Sequence, residues 1–142
     1  MFAYIPARSG SVRIRNKNIK KFNGKPIIEK TIKNLKKLKF LKNIFVSTDC
    51  EKIKNISESN GAITLNLRSK SLSNNKAGFI DLIKKDIPRF CKFSNDNEVL
   101  FVLSTSILVP NFIYNECYKK FKKFNPDVLM PCNKSKPFWS LK

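Results

Sequence analysis

The segment "IPARSGSVRIRNKN", residues 5–18, concentrates the side chains of this sequence whose types and spacing could bind an anion. It directly follows the apolar stretch "FAYI", residues 2–5. Its cations are Arg8, Arg13, Arg15 and Lys17, and it contains no acid. Its small and polar residues include Ser9, Gly10, Ser11, Asn16 and Asn18. Because glycine lets backbone N–H groups approach a ligand and arginine can hold a phosphate through two N–H groups, this composition is typical of a phosphate-binding loop.

Two common glycine patterns of nucleotide-binding loops are missing from the sequence, G-x-G-x-x-G and G-x-x-x-x-G-K-[ST]. The chemistry of residues 5–18 is nevertheless similar, since Arg8, Arg13 and Lys17 could neutralise several phosphate charges. The alternative is a solvated basic turn. The position of the segment directly after the first predicted strand favours a binding site.

Apolar periodicity predicts alternating strands and helices along the chain. The predicted strands are 2–5, 43–48, 62–67, 98–106 and 126–131. The predicted helices are 27–38, 51–59, 79–90 and 110–124. This alternation predicts an α/β sandwich with a mostly parallel sheet, in which ligands bind at the carboxyl ends of the strands. The loops expected at that edge are 6–18, 49–50, 68–78 and 104–109.

Composition limits the function classes that the chain could belong to. Its 142 residues suffice for one compact domain, and the hydrophobic share of 42% allows a buried core. The absence of histidine excludes Ser–His and Cys–His catalysis. Cys50, Cys91, Cys117 and Cys132 lie too far apart for a zinc motif, so separate buried thiols are expected. The sequence has no apolar run of about 18 residues and no signal-peptide pattern, so we expect a cytoplasmic protein without a membrane span.

The net charge of +19 raises the alternative of a nucleic-acid-binding protein. Most of the cations are lysines, and the chain is also rich in Asn, Ile and Phe, which share AT-rich codons with Lys. A codon bias would explain the charge without any function. The 12 Phe residues mostly fall at positions typical of a core, which disfavours a basic face with exposed stacking aromatics.

The longer stretch "IPARSGSVRIRNKNIKKFNGKPII", residues 5–28, resembles the opening of the acylneuraminate cytidylyltransferases, the CMP-sialic acid synthetases with their pseudaminic and legionaminic acid relatives. The family pattern is I-P-A-R-x-G-S-K-x-x-x-x-K-N-I, followed by a G-K-P turn into a helix. Three later segments fall in order at the family's spacing: "VSTD" at 46–49, "LRSKSLSNN" at 67–75 and "PFWSLK" at 137–142. The resemblance covers the whole chain. It implies a Rossmann-like three-layer sandwich of the nucleotide-diphospho-sugar transferase type.

This resemblance implies that the chain joins CTP to an acidic nine-carbon sugar and releases pyrophosphate, a step in the biosynthesis of cell-surface polysaccharides. It implies that Arg8 and Lys17 act in catalysis by neutralising phosphate charge, and that Arg68 fixes the cytosine and its ribose. The complete set of nucleotide-binding residues that we expect is Arg8, Ser9, Gly10, Ser11, Arg13, Lys17, Asn18 and Arg68.

Several positions depart from the family pattern. Val12 stands where the family has a phosphate-binding lysine, and Arg13 is displaced from that place by one residue. A family hydroxyl that faces the base falls at Phe79. A pair of family acids falls at Asn74 and Asn75.

The family extends beyond position 142, into a dimerisation arm and the aspartates that bind Mg²⁺. We therefore expect residues 1–142 to form a single cytidylyltransferase-like nucleotide-binding domain that is truncated at its C-terminus, without the homodimer arm and without a metal site of its own. Asp49 and Asp81 are the nearest metal candidates, although a helix cap and an exposed helix position are the roles expected for them. A non-catalytic nucleotide-binding remnant, or a subunit completed by another chain, is the alternative to an active enzyme.

Overall fold

The computed structural model describes residues 1–11 and 14–132 and divides the chain into two compact units, Met1–Val109 and Pro110–Lys142. In chain order its elements are β1 (Phe2–Pro6), a 3-10 turn (Lys17–Ile19), β2 (Lys21–Phe22), β3 (Lys25–Pro26), α1 (Ile27–Leu35), β4 (Ile44–Ser47), α2 (Glu51–Ser59), α3 (Lys70–Ser73), α4 (Phe79–Asp81), a π-helical turn (Leu82–Asp86), α5 (Ile87–Ser94), β5 (Val99–Phe101) and α6 (Asn111–Phe124). Only α6 belongs to the second unit. The single domain expected over 1–142 stays a prediction.

The main sheet of the first unit has the strand order β4–β1–β5, and both neighbours run parallel to β1. Tyr4 lies opposite Phe45 on one side and Phe101 on the other. Strands β2 and β3 form a separate hairpin around Asn23 and Gly24, which both have positive φ as a two-residue hairpin turn often requires. The parallel sheet with its alternating helices confirms the predicted α/β fold.

An aromatic cluster forms the core on one face of the sheet. Phe2, Tyr4 and Phe45 point to this face, where Phe90 of α5 covers them. The rings of Phe2 and Phe45 meet edge-on with centroids 5.1 Å apart. The alternate residue Ala3, which points to the opposite face, is also fully buried, so both faces of β1 are covered. Truncating Phe45 to alanine is expected to cost about 3–5 kcal/mol of stability.

The helices follow the predicted boundaries closely where local signals are strong. Helix α2 begins and ends at the predicted residues, and Gly61 terminates it with φ +84°. A Cβ atom at Gly61 would lie 2.7 Å from the Lys36 ammonium nitrogen. Helix α1 stops at Leu35 instead of Leu38 because its last turn changes to the 3-10 pattern, in which the Leu38 N–H donates to the Leu35 carbonyl.

The helix predicted over 79–90 reaches Ser94 and contains a π-helical turn, Leu82–Asp86. Pro88 follows this turn at the start of α5. Proline has no N–H group, and in a regular α-helix its ring would clash with the carbonyl of Lys84. The wider turn before Pro88 relieves that clash and lets the helix continue.

Two predicted strands are wrong. Residues 62–67 contribute only an isolated bridge at Ile63, and 126–131 form no strand. The first failure has a geometric cause: the Ile63 N–H donates to the Ile44 carbonyl and the Arg68 N–H to the Thr48 carbonyl. The intervening segment is one residue longer than its partner, so the ladder breaks as it does at a β-bulge. The predicted loop 68–78 contains the short helix α3.

The exposed surface carries more apolar side chains than the sequence suggested. Of the Phe residues that the structure describes, those with exposed side chains are Phe22, Phe79, Phe93, Phe112 and Phe124, whereas Phe2, Phe45 and Phe90 are buried. The expectation that Phe mostly occupies core positions is therefore wrong for this part of the chain. The four cysteines are free thiols, none of them fully buried, so the expected buried thiols are wrong as well. No helix among the described residues is both long and apolar enough to cross a bilayer.

Candidate functional site

The loops predicted to carry the site meet at the carboxyl edge of the parallel sheet. Backbone hydrogen bonds hold the strand ends together, from the Ala7 N–H to the Ser47 carbonyl at 2.9 Å and from the Val102 N–H to the Tyr4 carbonyl at 3.0 Å. Beyond the strands, side chains join loop 6–18 to each of the loops 49–50, 68–78 and 104–109. This confirms the predicted arrangement of the four loops.

Asn18 holds the loop that follows β1 in position through side-chain hydrogen bonds. Its side chain is buried and its amide nitrogen donates to the Arg8 carbonyl at 2.7 Å, while its amide oxygen accepts a hydrogen bond from the Ser104 hydroxyl. The Ser104 carbonyl in turn accepts from Thr31 of α1 at 2.6 Å. Since both ends of the Asn18 amide are engaged, this residue fixes the path of the backbone at Arg8.

Asp49 anchors the tip of the same loop. Its two carboxylate oxygens accept from the Ser9 N–H at 2.8 Å and from the Ser9 hydroxyl at 2.9 Å. The helix cap expected of Asp49 is wrong, because Cys50 is the N-cap of α2 and no side chain caps that helix. The carboxylate instead ties the cationic loop to the end of β4.

The middle of the loop is open. Gly10 is exposed, and a Cβ atom there would meet nothing within 4 Å. The Ser11 N–H donates to the Ser9 carbonyl at 2.9 Å, and Lys17 begins the 3-10 turn with its side chain only partly buried. Val12 and Arg13 lie outside the described residues, so their predicted roles stay predictions.

Arg8 reaches from the first loop to residues 73 and 74. Its terminal nitrogen Nη1 donates to the carbonyl of Asn74 and, at 3.4 Å, to that of Ser73. The guanidinium thus lies at the carboxyl edge of β1, in contact with the carbonyl oxygens of the last residue of α3 and of the residue after it.

Arg68 approaches the same segment from the interior. It is about 5% exposed, its Nε donates to the Ser73 hydroxyl at 3.1 Å, and its N–H donates to the Thr48 carbonyl at 2.7 Å. Its Nη1 is buried without a hydrogen-bond partner. An unpaired buried donor costs about 1–3 kcal/mol, so the arrangement leaves Arg68 with unused capacity to bind an acceptor. The two expected nucleotide-binding arginines therefore converge on Ser73.

A buried polar network lies behind these loops. The carboxylate of Asp86, which is fully buried, accepts from the hydroxyls of Tyr4 and Ser47 through Oδ2 and from Arg89 through Oδ1 at 3.0 Å. Burial first, and then the negative charge of Asp86, raise the pKa of the Tyr4 hydroxyl above its usual value. The tyrosine therefore stays neutral and remains a hydrogen-bond donor to Asp86.

The described residues do not fit a magnesium site. They contain no cluster of three or more His, Cys, Asp or Glu side chains. Both carboxylate oxygens of Asp49 are occupied by Ser9, and Asp81 accepts from the Gly78 N–H at 3.0 Å, which caps α4. Mg²⁺ prefers several oxygen ligands at short distances, and the described residues gather no such set around Asp49 or Asp81.

Sequence reasoning missed Ser104, Ser73 and Asp86. For Ser104 and Ser73 the sequence carries no signal, because hydroxyl residues are common in loops. For Asp86 a signal exists: it stands four residues from Leu82 and from Phe90, both buried, so a lone acid interrupts an apolar helix stripe. A buried carboxylate on such a stripe requires partners, and these partners prove to be Tyr4 and Ser47.

Comparison with known proteins connects this geometry to one family. The family model described as "Cytidylyltransferase" matches residues 2–121. A pseudaminic acid cytidylyltransferase of Campylobacter jejuni is 32% identical over 119 residues, which cover 82% of this chain and 51% of that protein. An N-acylneuraminate cytidylyltransferase of Escherichia coli is 39% identical over 84 residues, 59% of this chain and 20% of that protein.

A longer relative is the Helicobacter pylori protein named pseudaminic acid cytidylyltransferase and UDP-2,4-diacetamido-2,4,6-trideoxy-beta-L-altropyranose hydrolase. It is 28% identical over 92% of this chain, which corresponds to 25% of that protein. The chain thus spans about half or less of the length of these relatives. Among solved structures, a cytidylyltransferase from Leptospira borgpetersenii is similar with a TM-score of 0.70 and 22% identity over 86% of this chain and 48% of that one. This likeness shows a shared Rossmann-like fold.

Proposed function

The chain belongs to the cytidylyltransferase family, and we propose that it binds CTP at the carboxyl edge of β1 and β4 and activates an acidic nine-carbon sugar to its CMP-sugar in the cytoplasm. The observation that carries the proposal is the convergence of Arg8 and Arg68, from different loops, on Ser73 at this edge. The named relatives act on pseudaminic and N-acylneuraminic acid, which supports an acidic sugar as the second substrate.

The proposed reaction is a displacement at the α-phosphorus of CTP. The anomeric hydroxyl oxygen of the sugar forms a bond to this phosphorus and its proton passes to the solvent, while the bond from the phosphorus to the β-phosphate oxygen breaks and pyrophosphate leaves. Negative charge on the phosphate oxygens must be neutralised, and preorganised cations do this best. Arg8, whose backbone carbonyl is held by Asn18, and Lys17 are the residues that we assign to this role. Mg²⁺ would supply further neutralisation in the family, but the described residues do not fit it.

The binding step is tested by calorimetry with CTP, ATP and GTP, with two arginine variants of the same loop. Arg8 contacts the 73–74 segment, whereas Arg15 is exposed and serves as the matched control. Arg8→Met should weaken CTP binding about tenfold or more, as expected for a charge-assisted phosphate contact, and Arg15→Met should change it by less than about twofold. Equal affinity for the three nucleotides, or equal losses in both variants, would reduce the site to a general polyanion surface.

Nucleotide binding without turnover is the second candidate function. The contacts of Asp49 favour it, because this carboxylate holds the cationic loop through Ser9 with both of its oxygens, which is a structural role. Pyrophosphate release from CTP, measured with Mg²⁺ and a panel of eight- and nine-carbon acidic sugars, separates the two candidates. Release that requires one particular sugar establishes the enzyme and names its substrate. CTP binding without release establishes the second candidate.

A further inference from the structure

Asp86 is the only buried acid among the described residues, and it lies behind the proposed nucleotide site. We propose that Asp86 is a positioning residue for that site: through Ser47 it fixes the segment 47–49, which holds loop 6–18 and Arg68 by hydrogen bonds. The inference rests on the proposed function for its effect on CTP. The part of the inference that concerns the position of segment 47–49 does not depend on any ligand.

The hydrogen bonds of Asp86 show that three elements of the fold are built around its carboxylate. A buried carboxylate is costly unless donors satisfy it. Tyr4 of β1 and Ser47 of β4 both donate to Oδ2, and Arg89 of α5 donates to Oδ1 and is itself about 41% exposed. The carboxylate therefore joins two strands and a helix with one cation as its counter-charge. The π-helical turn that ends at Asp86 is a feature often found next to functional sites.

Ser47 connects the Asp86 carboxylate to the proposed nucleotide site. Its hydroxyl is held by Asp86, and its carbonyl accepts the Ala7 N–H at the entrance to the cationic loop. The next residue, Thr48, accepts the Arg68 N–H through its carbonyl, and Asp49 then accepts both donors of Ser9. Three consecutive residues thus hold the first loop and Arg68, and Asp86 holds the first of the three.

A matched pair of variants separates positioning from simple stability. Tyr4→Phe and Ser47→Ala each remove one hydroxyl from the same oxygen of Asp86, but only Ser47 leads to the site. We expect similar losses of stability in urea titrations, a loss of CTP affinity of about threefold or more in Ser47→Ala, and less than about 1.5-fold in Tyr4→Phe. Asp86→Asn should weaken CTP binding about tenfold. Adding Ser47→Ala to it should cause little further loss of CTP affinity, because both substitutions disrupt the same contact between Ser47 and Asp86.

Hydrogen exchange of the free chain provides a second readout. The amide hydrogens of Ser9 and Arg68 should exchange faster in Ser47→Ala than in Tyr4→Phe. Both amides donate to segment 47–49, that of Ser9 to the Asp49 carboxylate and that of Arg68 to the Thr48 carbonyl. Equal exchange in the two variants, or equal CTP affinities, would overturn the positioning role, and this comparison does not require the Asp86 variant to fold. If the unaltered chain does not bind CTP, the proposed function fails, and the exchange rates still decide the role of Asp86.

Discussion

The guanidinium of Arg8 donates a hydrogen bond to the backbone carbonyl of Asn74, across a sequence separation of 66 residues. The carbonyl belongs to a tight turn, in which the Asn74 side-chain oxygen accepts from the N–H groups of Lys76 at 2.8 Å and Ala77 at 2.9 Å. A carbonyl oxygen is the neutral counterpart of a phosphate oxygen as a partner for arginine. A nucleotide phosphate that binds through Nη1 of Arg8 therefore competes with the Asn74 carbonyl.

Loosening this turn should strengthen CTP binding. Asn74→Ala removes the side-chain oxygen that closes the turn, so its carbonyl is held less firmly against Arg8. We expect a two- to threefold gain in CTP affinity by calorimetry, about 0.5 kcal/mol. Asn75→Ala is the control, because Asn75 is the exposed neighbour, and its substitution should leave the affinity unchanged. Weaker binding in Asn74→Ala would mean that the carbonyl orients Arg8 for the ligand instead of competing with it.

Removal of the Asn18 amide should destabilise the chain. Asn18→Ala leaves the Arg8 carbonyl and the Ser104 hydroxyl without their partner in a buried position. Each unsatisfied buried group costs about 1–3 kcal/mol, so a loss of roughly 2 kcal/mol or more is expected in urea denaturation. Asn66→Ala, at an exposed position, should change stability by less than about 0.5 kcal/mol. Equal effects of the two substitutions would show that the Asn18 bonds contribute nothing.

Arg68 should matter more for ligand binding than for stability. Arg68→Met keeps an apolar stem of similar length but loses the bond from Nε to the Ser73 hydroxyl. It also removes the buried, unpaired Nη1, and the two effects offset each other to within about 1 kcal/mol of unfolding free energy. CTP affinity should fall about tenfold or more, because a charge-assisted contact is lost. A large loss of stability without a change in CTP affinity would make Arg68 a purely structural residue.

The carboxyl-edge arrangement could be predicted from the sequence because it follows from topology. Once 2–5 and 43–48 are parallel strands, their following loops must lie together, and the contact of Ser9 with Asp49 is one result. The boundaries of α2 were predictable because its apolar spacing and the Asn60–Gly61 terminus are local signals. The boundaries of α2 depend only on neighbours in the chain, and the meeting of the loops depends only on two strands being parallel.

Features that depend on distant partners could not be predicted. The failure of the strand at 62–67 results from a single extra residue relative to β4, and no local pattern reveals that mismatch. Tyr4 and Ser47 are separated from Asp86 by 82 and 39 residues, so their sequence neighbourhoods show no relation to it. Such networks depend on how the helix packs on the sheet, which local periodicity does not specify.

The position of Val12 provides a prediction that rests on the sequence alone, since this residue lies outside the described ranges. It stands where the resembling family has a phosphate-binding lysine, and Val12→Lys should tighten CTP binding by roughly 1 kcal/mol. Ile14→Lys adds the same charge to the same loop at an exposed position and is the matched control. An equal gain in both variants would indicate a general effect of net charge, and no gain at position 12 would mean that Arg13 already supplies the contact.

The raised pKa of Tyr4 predicts a specific loss of stability in alkaline solution. In the folded chain burial and the charge of Asp86 hold the proton on Tyr4, whereas the unfolded chain releases it near the usual pKa of about 10. Above that pH the folded state binds more protons than the unfolded state, so the unfolding free energy must fall as the pH rises. The contribution of the neutral Tyr4 hydroxyl to the unfolding free energy is therefore complete below about pH 10. Above that pH it decreases by up to roughly 1.4 kcal/mol per pH unit.

Urea titrations between pH 8 and about pH 11.5 should show this decrease in the unaltered chain and in Ser47→Ala, which keeps the tyrosine, but not in Tyr4→Phe. The same alkaline slope in all three chains would mean that the lysines alone cause it and that Tyr4 is not held in its neutral form.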